Sequence, residues 1–183
     1  NSDIWALSNA VGDLGGGDPL WANWYMGGAW LSQHLWEHYA FTRDKKFLKE
    51  RAYPIMKDAA LFCVDWLIER DGYLITSPST TPENVFWYKG KQVSVSEATT
   101  MDMAIIRDLF TNVIEAAYTI GEDRKFANQL SQKLAKLYPY RIGKNGQLQE
   151  WTEDYEEVDP HHRHLSHLFG LHPGRSISPL TTP

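Results

Sequence analysis

The sequence predicts a mainly α-helical fold in which helix pairs carry short β-hairpin loops. Apolar residues recur at helical spacing in several long segments of the chain. Stretches rich in proline, glycine and β-branched residues separate these segments, so the order is helix, helix, elaborated loop, helix, helix, elaborated loop. Antiparallel helix pairs with long loops at one end are typical of an α/α toroid. A complete toroid needs on the order of 300–400 residues, so residues 1–183 are expected to form one partial domain, about half of a toroid.

The first part of the chain predicts a loop followed by two helices. Residues 1–19 are rich in glycine and indicate a loop. Apolar residues then recur at helical spacing over residues 24–41 and again over residues 45–68. We expect Asp44 to cap the second helix and Pro54 to bend it.

The period changes in the next segment, which predicts an elaborated loop. Residues 72–76 are β-like, and residues 77–84 form a loop in which two prolines restrict the backbone. Residues 86–88 and 92–95 flank a Lys-Gly-Lys turn. This arrangement predicts a small hairpin directly after the proline-containing loop.

The second half repeats the plan of two helices and a loop. A long amphipathic helix is predicted over residues 100–120, with Gly121 ending it. Another helix is predicted over residues 123–137, and paired short strands over residues 138–151. The segment 152–173 is dense in charged residues and histidine.

Composition narrows the classes of function. Hydrophobic residues make up 43% and charged residues 22%, which is typical of a globular protein. The net charge is −5 without a Lys/Arg-rich stripe, so nucleic-acid binding is not expected. Cys63 lies in an apolar run and is predicted to be a buried thiol. No signal peptide or membrane span is found, and both chain ends indicate a piece cut from a longer protein.

Glu83 is the first candidate for chemistry. It lies in the loop Ser77-Pro78-Ser79-Thr80-Thr81-Pro82-Glu83-Asn84, beside hydroxyl and amide donors and just before Trp87 and Tyr88. Glycoside hydrolysis needs a carboxylic acid that is held protonated to give its proton to the leaving oxygen. The alternative is that Glu83 caps a helical turn after Pro82, with Asn84 as turn chemistry.

The histidine-rich motif His161-His162-Arg163-His164-Leu165-Ser166-His167 allows three interpretations. Metal binding would use His164 and His167, whose spacing would place both on one helical face. Sugar binding would use Arg163 and His164 as donors to hydroxyls, with His167 supporting the loop. The third interpretation is a helix start whose histidines are satisfied by the backbone.

A third candidate is the tryptophan-rich segment from Trp21 to Trp36. Trp24 or Trp30 would stack on a sugar ring, with His34 one helical turn beyond Trp30. The Gly27-Gly28 pair inside a helix is costly unless close packing or a ligand requires it. The alternative is aromatic packing between helices.

Taken in this order, these segments resemble glycoside hydrolase family 95, the α-L-fucosidases that cut terminal α-1,2-linked fucose. Some members of the family act on α-L-galactosides. The resemblance spans nearly the whole chain, and the set of motifs is specific although each motif alone is weak. The matching stretches are Asn1–Trp5, Met26–Leu31, His34–Tyr39, Ser77–Asn84, Met101–Met103, Arg107–Phe110, Glu150–Trp151 with Asp154, and His162–Leu168.

The resemblance implies an (α/α)6 barrel and inverting hydrolysis without a metal or cofactor. Glu83 takes the place of the general acid, and Arg163 with His164 takes the place of the pair that contacts the sugar. Trp24 or Trp30 would line the pocket, and His34 and Asn84 are also expected to bind the substrate. The family's water-positioning asparagines and the aspartate that supports them are expected outside this chain, so the isolated chain is expected to be inactive.

The resemblance also implies the biological setting. The substrate would be an oligosaccharide or glycan, with fucose against L-galactose left open. The full-length parent is expected to be bacterial and secreted, periplasmic or cell-surface. Two alternatives from other classes remain at this point: another toroid enzyme such as a polysaccharide lyase, and a non-catalytic fragment that binds glycan.

Overall fold

The computed structural model describes residues 19–180 and residue 182, and the mainly α-helical class predicted from the sequence is confirmed. The loop predicted for residues 1–19 lies outside the described residues except for Pro19, which begins a short helix. No helix in the described ranges is both long and apolar enough to cross a membrane. The α-helices are α1 Pro19–Ala22, α2 Gly27–Leu31, α3 Gln33–Thr42, α4 Lys45–Phe47, α5 Tyr53–Trp66, α6 Thr100–Ile120 and α7 Arg124–Leu134, with a π-helix at Leu48–Ala52 and a 3₁₀ helix at Ser166–Gly170.

Helix α6 is the centre of the core and has the predicted bounds. It packs against α5, α7 and the 3₁₀ helix. Its residues Met103–Ile106 are buried in succession, so this part of the helix is enclosed on all sides. The Thr99 side chain accepts the backbone N–H of Asp102 at the start, and Gly121 ends the helix with φ of 77°.

The helix predicted for residues 24–41 is interrupted and begins later than expected. Helix α2 starts at Gly27, and a turn at Ser32 separates it from α3. The Ser32 hydroxyl donates to the Gly28 carbonyl at 2.7 Å, a bond within the helix that is associated with bending. Trp24 therefore lies before the helix rather than on it.

The helix predicted for residues 45–68 is divided by a π-helical turn. Asp44 is its N-cap as predicted, because its side chain accepts the backbone N–H groups of Lys46 and Phe47, each at 2.9 Å. The π-helix ends at Ala52, two residues before Pro54, which has no N–H to donate to the preceding turn. The predicted end at Ile68 is wrong, since α5 ends at Trp66 and Ile68 belongs to a strand.

Small antiparallel sheets are built mainly from the elaborated loop, with one strand from residues 156–157. The strands are β1 Ile68–Arg70, β2 Tyr73–Ile75, β3 Ser79–Thr80, β4 Phe86–Tyr88, β5 Lys91–Val93, β6 Val95–Ser96 and β7 Glu156–Glu157. The predicted hairpin is confirmed as β4–β5, with the sheet order β5-β4-β7. Strand β3 pairs with β6, so the loop that carries Glu83 is fixed to the base of the hairpin. The paired strands expected in residues 138–151 reduce to one bridge between Ile142 and Leu148.

The buried thiol predicted at Cys63 is confirmed. Cys63 is fully buried on α5, and burial raises the pKa of its thiol to about 12. A thiol that stays protonated at neutral pH is a poor nucleophile. Cys63 is therefore a packing residue of the core.

Two glycine substitutions should shift stability in opposite directions. Gly121 has a φ of 77°, so Gly121→Ala is expected to lower the free energy of unfolding by about 1 kcal/mol. Gly28 is exposed within α2, and an added Cβ would meet no described atom within 4 Å. Gly28→Ala is expected to raise the free energy of unfolding by about 0.5–1 kcal/mol. Thermal unfolding followed by circular dichroism measures both, and shifts of the same sign would contradict this assignment.

Candidate active site

A cleft of about 340 Å³ lies between the loop that carries Glu83 and the histidine-rich segment. Its wall is mainly aromatic and apolar, with a few polar groups directed into it, which is typical of sites for small molecules. The residues that line it are Trp24, Trp30, Pro82, Glu83, Met101, His164, Leu165, Ser166, Phe169, His172 and Pro173.

Glu83 contacts two side chains of the histidine-rich segment. Arg163 Nη2 donates to Glu83 Oε2 at 2.7 Å, and His164 Nε2 lies 3.5 Å from the same oxygen. The Glu83 side chain is 25% exposed, so it is partly withdrawn from water. The structure thus brings together the predicted acid and the predicted sugar-contacting pair, although Glu83 and Arg163 are 80 positions apart in the sequence.

The loop that carries Glu83 is held from behind by a buried carboxylate. Glu150 is 5% exposed. Its Oε1 accepts the hydroxyl of Thr81 at 2.6 Å, and its Oε2 accepts the side-chain amide of Asn84 at 2.9 Å. Asn84 was predicted to bind substrate, but its side chain is 2% exposed and directed at Glu150 instead of the cleft. The geometry therefore favours Asn84 as a support of the loop.

Trp24 and Trp30, which the sequence left as alternatives for the pocket wall, both line the cleft. Their ring centroids are 5.7 Å apart at an interplanar angle of 66°, an edge-to-face pair. Trp30 is 38% exposed and presents a large aromatic surface to solvent. Aromatic packing and a sugar platform, which the sequence left as competing interpretations, are compatible in this arrangement.

A second buried carboxylate, Asp102, lies at the N-terminal end of α6. Its Oδ2 accepts the Ser79 hydroxyl at 2.6 Å and the Thr76 hydroxyl at 3.0 Å. Trp24 Nε1 and Asp102 Oδ1 are both buried without a regular hydrogen bond, and the indole N–H still acts to lower the pKa of Asp102. Burial is the larger effect and raises the pKa of Asp102 from 3.8 to about 6.

His34 lies apart from Glu83. It is exposed and lines a smaller cleft of about 110 Å³ together with Asp108, Asn112 and Arg175. This cleft shares only Trp30 and Pro173 with the larger one. His34 is therefore placed beside the candidate active site and not within the wall that contains Glu83.

The structure does not give His164 and His167 the shared helical face that the metal-binding interpretation required. His164 lies before the 3₁₀ helix, which begins at Ser166, so His164 and His167 do not share a helix. His164 Nε2 faces Glu83, whereas His167 Nδ1 lies 3.6 Å from Glu150 Oε2. Within residues 19–180 and 182, no group of three or more His, Cys, Asp or Glu side chains is arranged to hold a metal ion.

Sequence reasoning missed the buried roles of Glu150 and Asp102. The sequence gives only a weak indication that either carboxylate is buried: Asp102 lies between two methionines, and Glu150 directly precedes a tryptophan. A carboxylate flanked by apolar residues is rarely buried without polar partners. The partners come from the loop 76–84, which is distant in the sequence.

Comparison with known proteins gives a family match over the whole chain. The family model described as the Glycosyl hydrolase family 95 catalytic domain matches residues 1–183. The chain is 45% identical to "Alpha-L-fucosidase 2" of Arabidopsis thaliana over 185 residues, which cover 100% of this chain and 22% of that protein. It is 34% identical to "Probable alpha-fucosidase A" of Aspergillus niger over 165 residues, which cover 86% of this chain and 20% of that protein.

The chain spans about a fifth of the length of these curated relatives. They are plant and fungal proteins, so the bacterial source expected from the resemblance stays a prediction. The match over residues 1–183 confirms the resemblance that the motifs indicated. This chain belongs to the glycosyl hydrolase family 95 catalytic domain family.

Proposed function

We propose that the whole protein is an inverting glycoside hydrolase that removes terminal α-1,2-linked L-fucose from glycans, with Glu83 as its general acid. The observation that supports this most is the position of Glu83 at an aromatic cleft, in contact with Arg163 and His164. The names of the plant and fungal relatives, "Alpha-L-fucosidase 2" and "Probable alpha-fucosidase A", support fucose as the sugar.

The cleft suits the two demands of glycoside hydrolysis, which are recognition of the ring and protonation of the leaving oxygen. Trp24 and Trp30 offer aromatic surface for the apolar face of a sugar ring. Arg163 and His164 carry donors for its hydroxyl groups. Glu83 lies within reach of the same donors and would give its proton to the glycosidic oxygen as the bond breaks.

Arg163 has two competing partners in this proposal. Without a sugar, its guanidinium donates to Glu83 at 2.7 Å. Sugar hydroxyls that accept from Arg163 would compete with this contact in the complex. Glu83 would then be available to face the glycosidic oxygen.

The remaining parts of the site are proposed to lie elsewhere in the whole protein. An inverting enzyme needs a second group that activates water on the opposite face of the sugar, with the two groups roughly 6.5–9.5 Å apart. We assign that group to a part of the protein beyond this chain and propose that residues 1–183 contribute about half of an (α/α)6 barrel. A secreted, periplasmic or cell-surface location stays a prediction from the resemblance.

The test is release of L-fucose from 2′-fucosyllactose by the whole protein. We expect free L-fucose to appear, with the β-anomer formed first because an inverting enzyme changes the configuration at the anomeric carbon. NMR spectroscopy of the reaction measures both. No release from this substrate, together with release from an α-L-galactoside, would redirect the proposal to L-galactose. An unsaturated product that absorbs ultraviolet light would indicate a lyase, and binding without turnover would indicate a glycan-binding protein.

A further inference from the structure

Glu150 holds both ends of the turn that presents Glu83. Thr81 and Asn84 are the two residues that flank Pro82-Glu83, and each donates to a different oxygen of the Glu150 carboxylate. The turn is closed further by the Asn84 N–H, which donates to the Thr81 carbonyl at 2.8 Å. A carboxylate that binds both sides of so short a turn fixes the direction in which the intervening residue points.

The same carboxylate also faces the segment that supplies the partners of Glu83. His167 Nδ1 is buried without a regular hydrogen bond and lies 3.6 Å from Glu150 Oε2. One residue earlier, the Ser166 hydroxyl donates to the Pro82 carbonyl, so the 3₁₀ helix contacts the turn directly. Glu150 therefore lies behind the point where the two segments meet, with Glu83 on the cleft side.

Glu150 is itself anchored to the core. Its backbone carbonyl accepts the N–H of Thr100, the first residue of α6, at 3.0 Å. In the described part of the chain its carboxylate has no Lys or Arg within 4.0 Å, and His167 is its only ion-pairing neighbour. A buried carboxylate of this kind is costly in free energy, and its hydrogen bonds to Thr81 and Asn84 offset part of that cost.

We propose that Glu150 is a positioning residue for the general acid, acting through Thr81 and Asn84 and not by contact with the substrate. The inference rests on the proposed role of Glu83. A displacement of about 1 Å at a reacting group can cost about 10²-fold in rate. Loss of Glu150 should therefore lower the rate of proton transfer more than it lowers the affinity for the sugar.

The first experiment measures the support without any substrate. In the whole protein, Glu150→Ala should increase hydrogen–deuterium exchange in peptides that cover residues 81–85 and residues 165–170, because their amides rely on this arrangement. Asp108→Ala is the matched control, since Asp108 is also a buried carboxylate with two side-chain donors, Gln33 and Asn112, both of which lie outside the two segments. Unchanged exchange in both segments of Glu150→Ala, or an equal increase in the control, would overturn the proposal.

The second experiment measures kinetics on the natural glycan. We expect Glu150→Ala to lower kcat by about 10²-fold with KM changed by less than about threefold. Glu150→Gln should lower kcat by only about tenfold. A Thr hydroxyl can donate or accept a hydrogen bond, so the glutamine amide can bond to both Thr81 and Asn84. In a Glu83→Gln background, Glu150→Ala should add less than about threefold, because the acid that it positions is already absent.

These outcomes separate a positioning role from a merely structural one. Loss of folded protein would lower kcat equally in both backgrounds, and an additive effect would overturn the proposal. Activity of Glu150→Ala equal to that of the unmodified protein would overturn it as well, while leaving the proposed function intact. Failure of the unmodified protein to release any sugar would overturn the proposed function first, and the positioning role of Glu150 with it.

Discussion

Replacing Glu83 with glutamine should lower kcat for release of L-fucose by about 10³-fold, while binding of the sugar is retained. Glutamine has nearly the shape of glutamate and keeps an oxygen that can accept from Arg163, but it has no acidic proton to give. The loss should therefore appear in kcat, with KM changed little. The measurement is the steady-state rate of the whole protein on 2′-fucosyllactose, with sugar binding followed by calorimetry.

A substrate with a better leaving group provides the internal check on this expectation. A dinitrophenyl α-L-fucoside releases a stable anion that needs little protonation, so Glu83→Gln should retain most of the rate on it. Glu69→Gln is a suitable control, because Glu69 is an exposed carboxylate on β1 outside the cleft. If Glu83→Gln kept more than about a tenth of kcat on the natural glycan, the general acid would have to be another group.

The elements predicted most accurately are those whose signals are local. Helix α6 has the predicted bounds because its apolar stripe, its Thr99 cap and its terminal Gly121 all agree. The β4–β5 hairpin is likewise predicted by its turn, in which Lys89 and Gly90 have φ values of 50° and 76°. At these positions the chain neighbours of a residue decide its conformation.

The errors occur where tertiary contacts decide. The end of α5 was placed too late because Ile68 continues the apolar period of the helix, whereas the structure pairs it with Ile75 in a hairpin. The interruption at Ser32 depends on a side-chain bond that the apolar period does not reveal. Strand β3 is a two-residue pairing with β6, too short for an alternating pattern to indicate it.

In the candidate site, too, the sequence predicts some features and tertiary contacts decide the others. Glu83, Arg163 and His164 could be selected from the sequence by motif and resemblance, but no spacing rule predicts that Arg163 lies 2.7 Å from Glu83. Asn84 was expected to bind the substrate, but its side chain is buried against Glu150, a residue 66 positions away. The sequence therefore identifies the chemical groups, whereas packing decides which of them face the cleft.

Asp102 is expected to give the stability of the protein a pH dependence of unusual sign for an aspartate. Burial raises the pKa of Asp102 from 3.8 to about 6 in the folded state, against the opposing effect of its bonds from Ser79 and Thr76. The folded state then binds the proton more tightly than the unfolded state. The stabilisation from Asp102 is fully present below about pH 3.8 and is lost as the pH rises through about 6.

The magnitude follows from the shift, since each unit of pKa corresponds to about 1.4 kcal/mol. Between about pH 4 and pH 7, the unmodified protein should lose on the order of 3 kcal/mol of stability relative to Asp102→Asn, which has no titrating group at this position. The quantity to compare is how the stability difference between the two proteins changes with pH. The effect of placing an amide beside Trp24 is independent of pH and therefore cancels. Thermal unfolding of both proteins across that pH range measures it.

Asp123 provides a control of opposite sign. Its pKa is lowered by the hydrogen bond from Lys57 and then by that from Tyr53, so its contribution is present at neutral pH and is lost on acidification. Asp123→Asn should therefore be destabilised relative to the unmodified protein at neutral pH and approach it in acid, the reverse of Asp102→Asn. Parallel curves for the unmodified protein and Asp102→Asn would show that Asp102 stays ionised when buried. Its hydroxyl partners and the Trp24 indole would then hold a negative charge beneath the cleft, and Trp24 would be fixed by that charge.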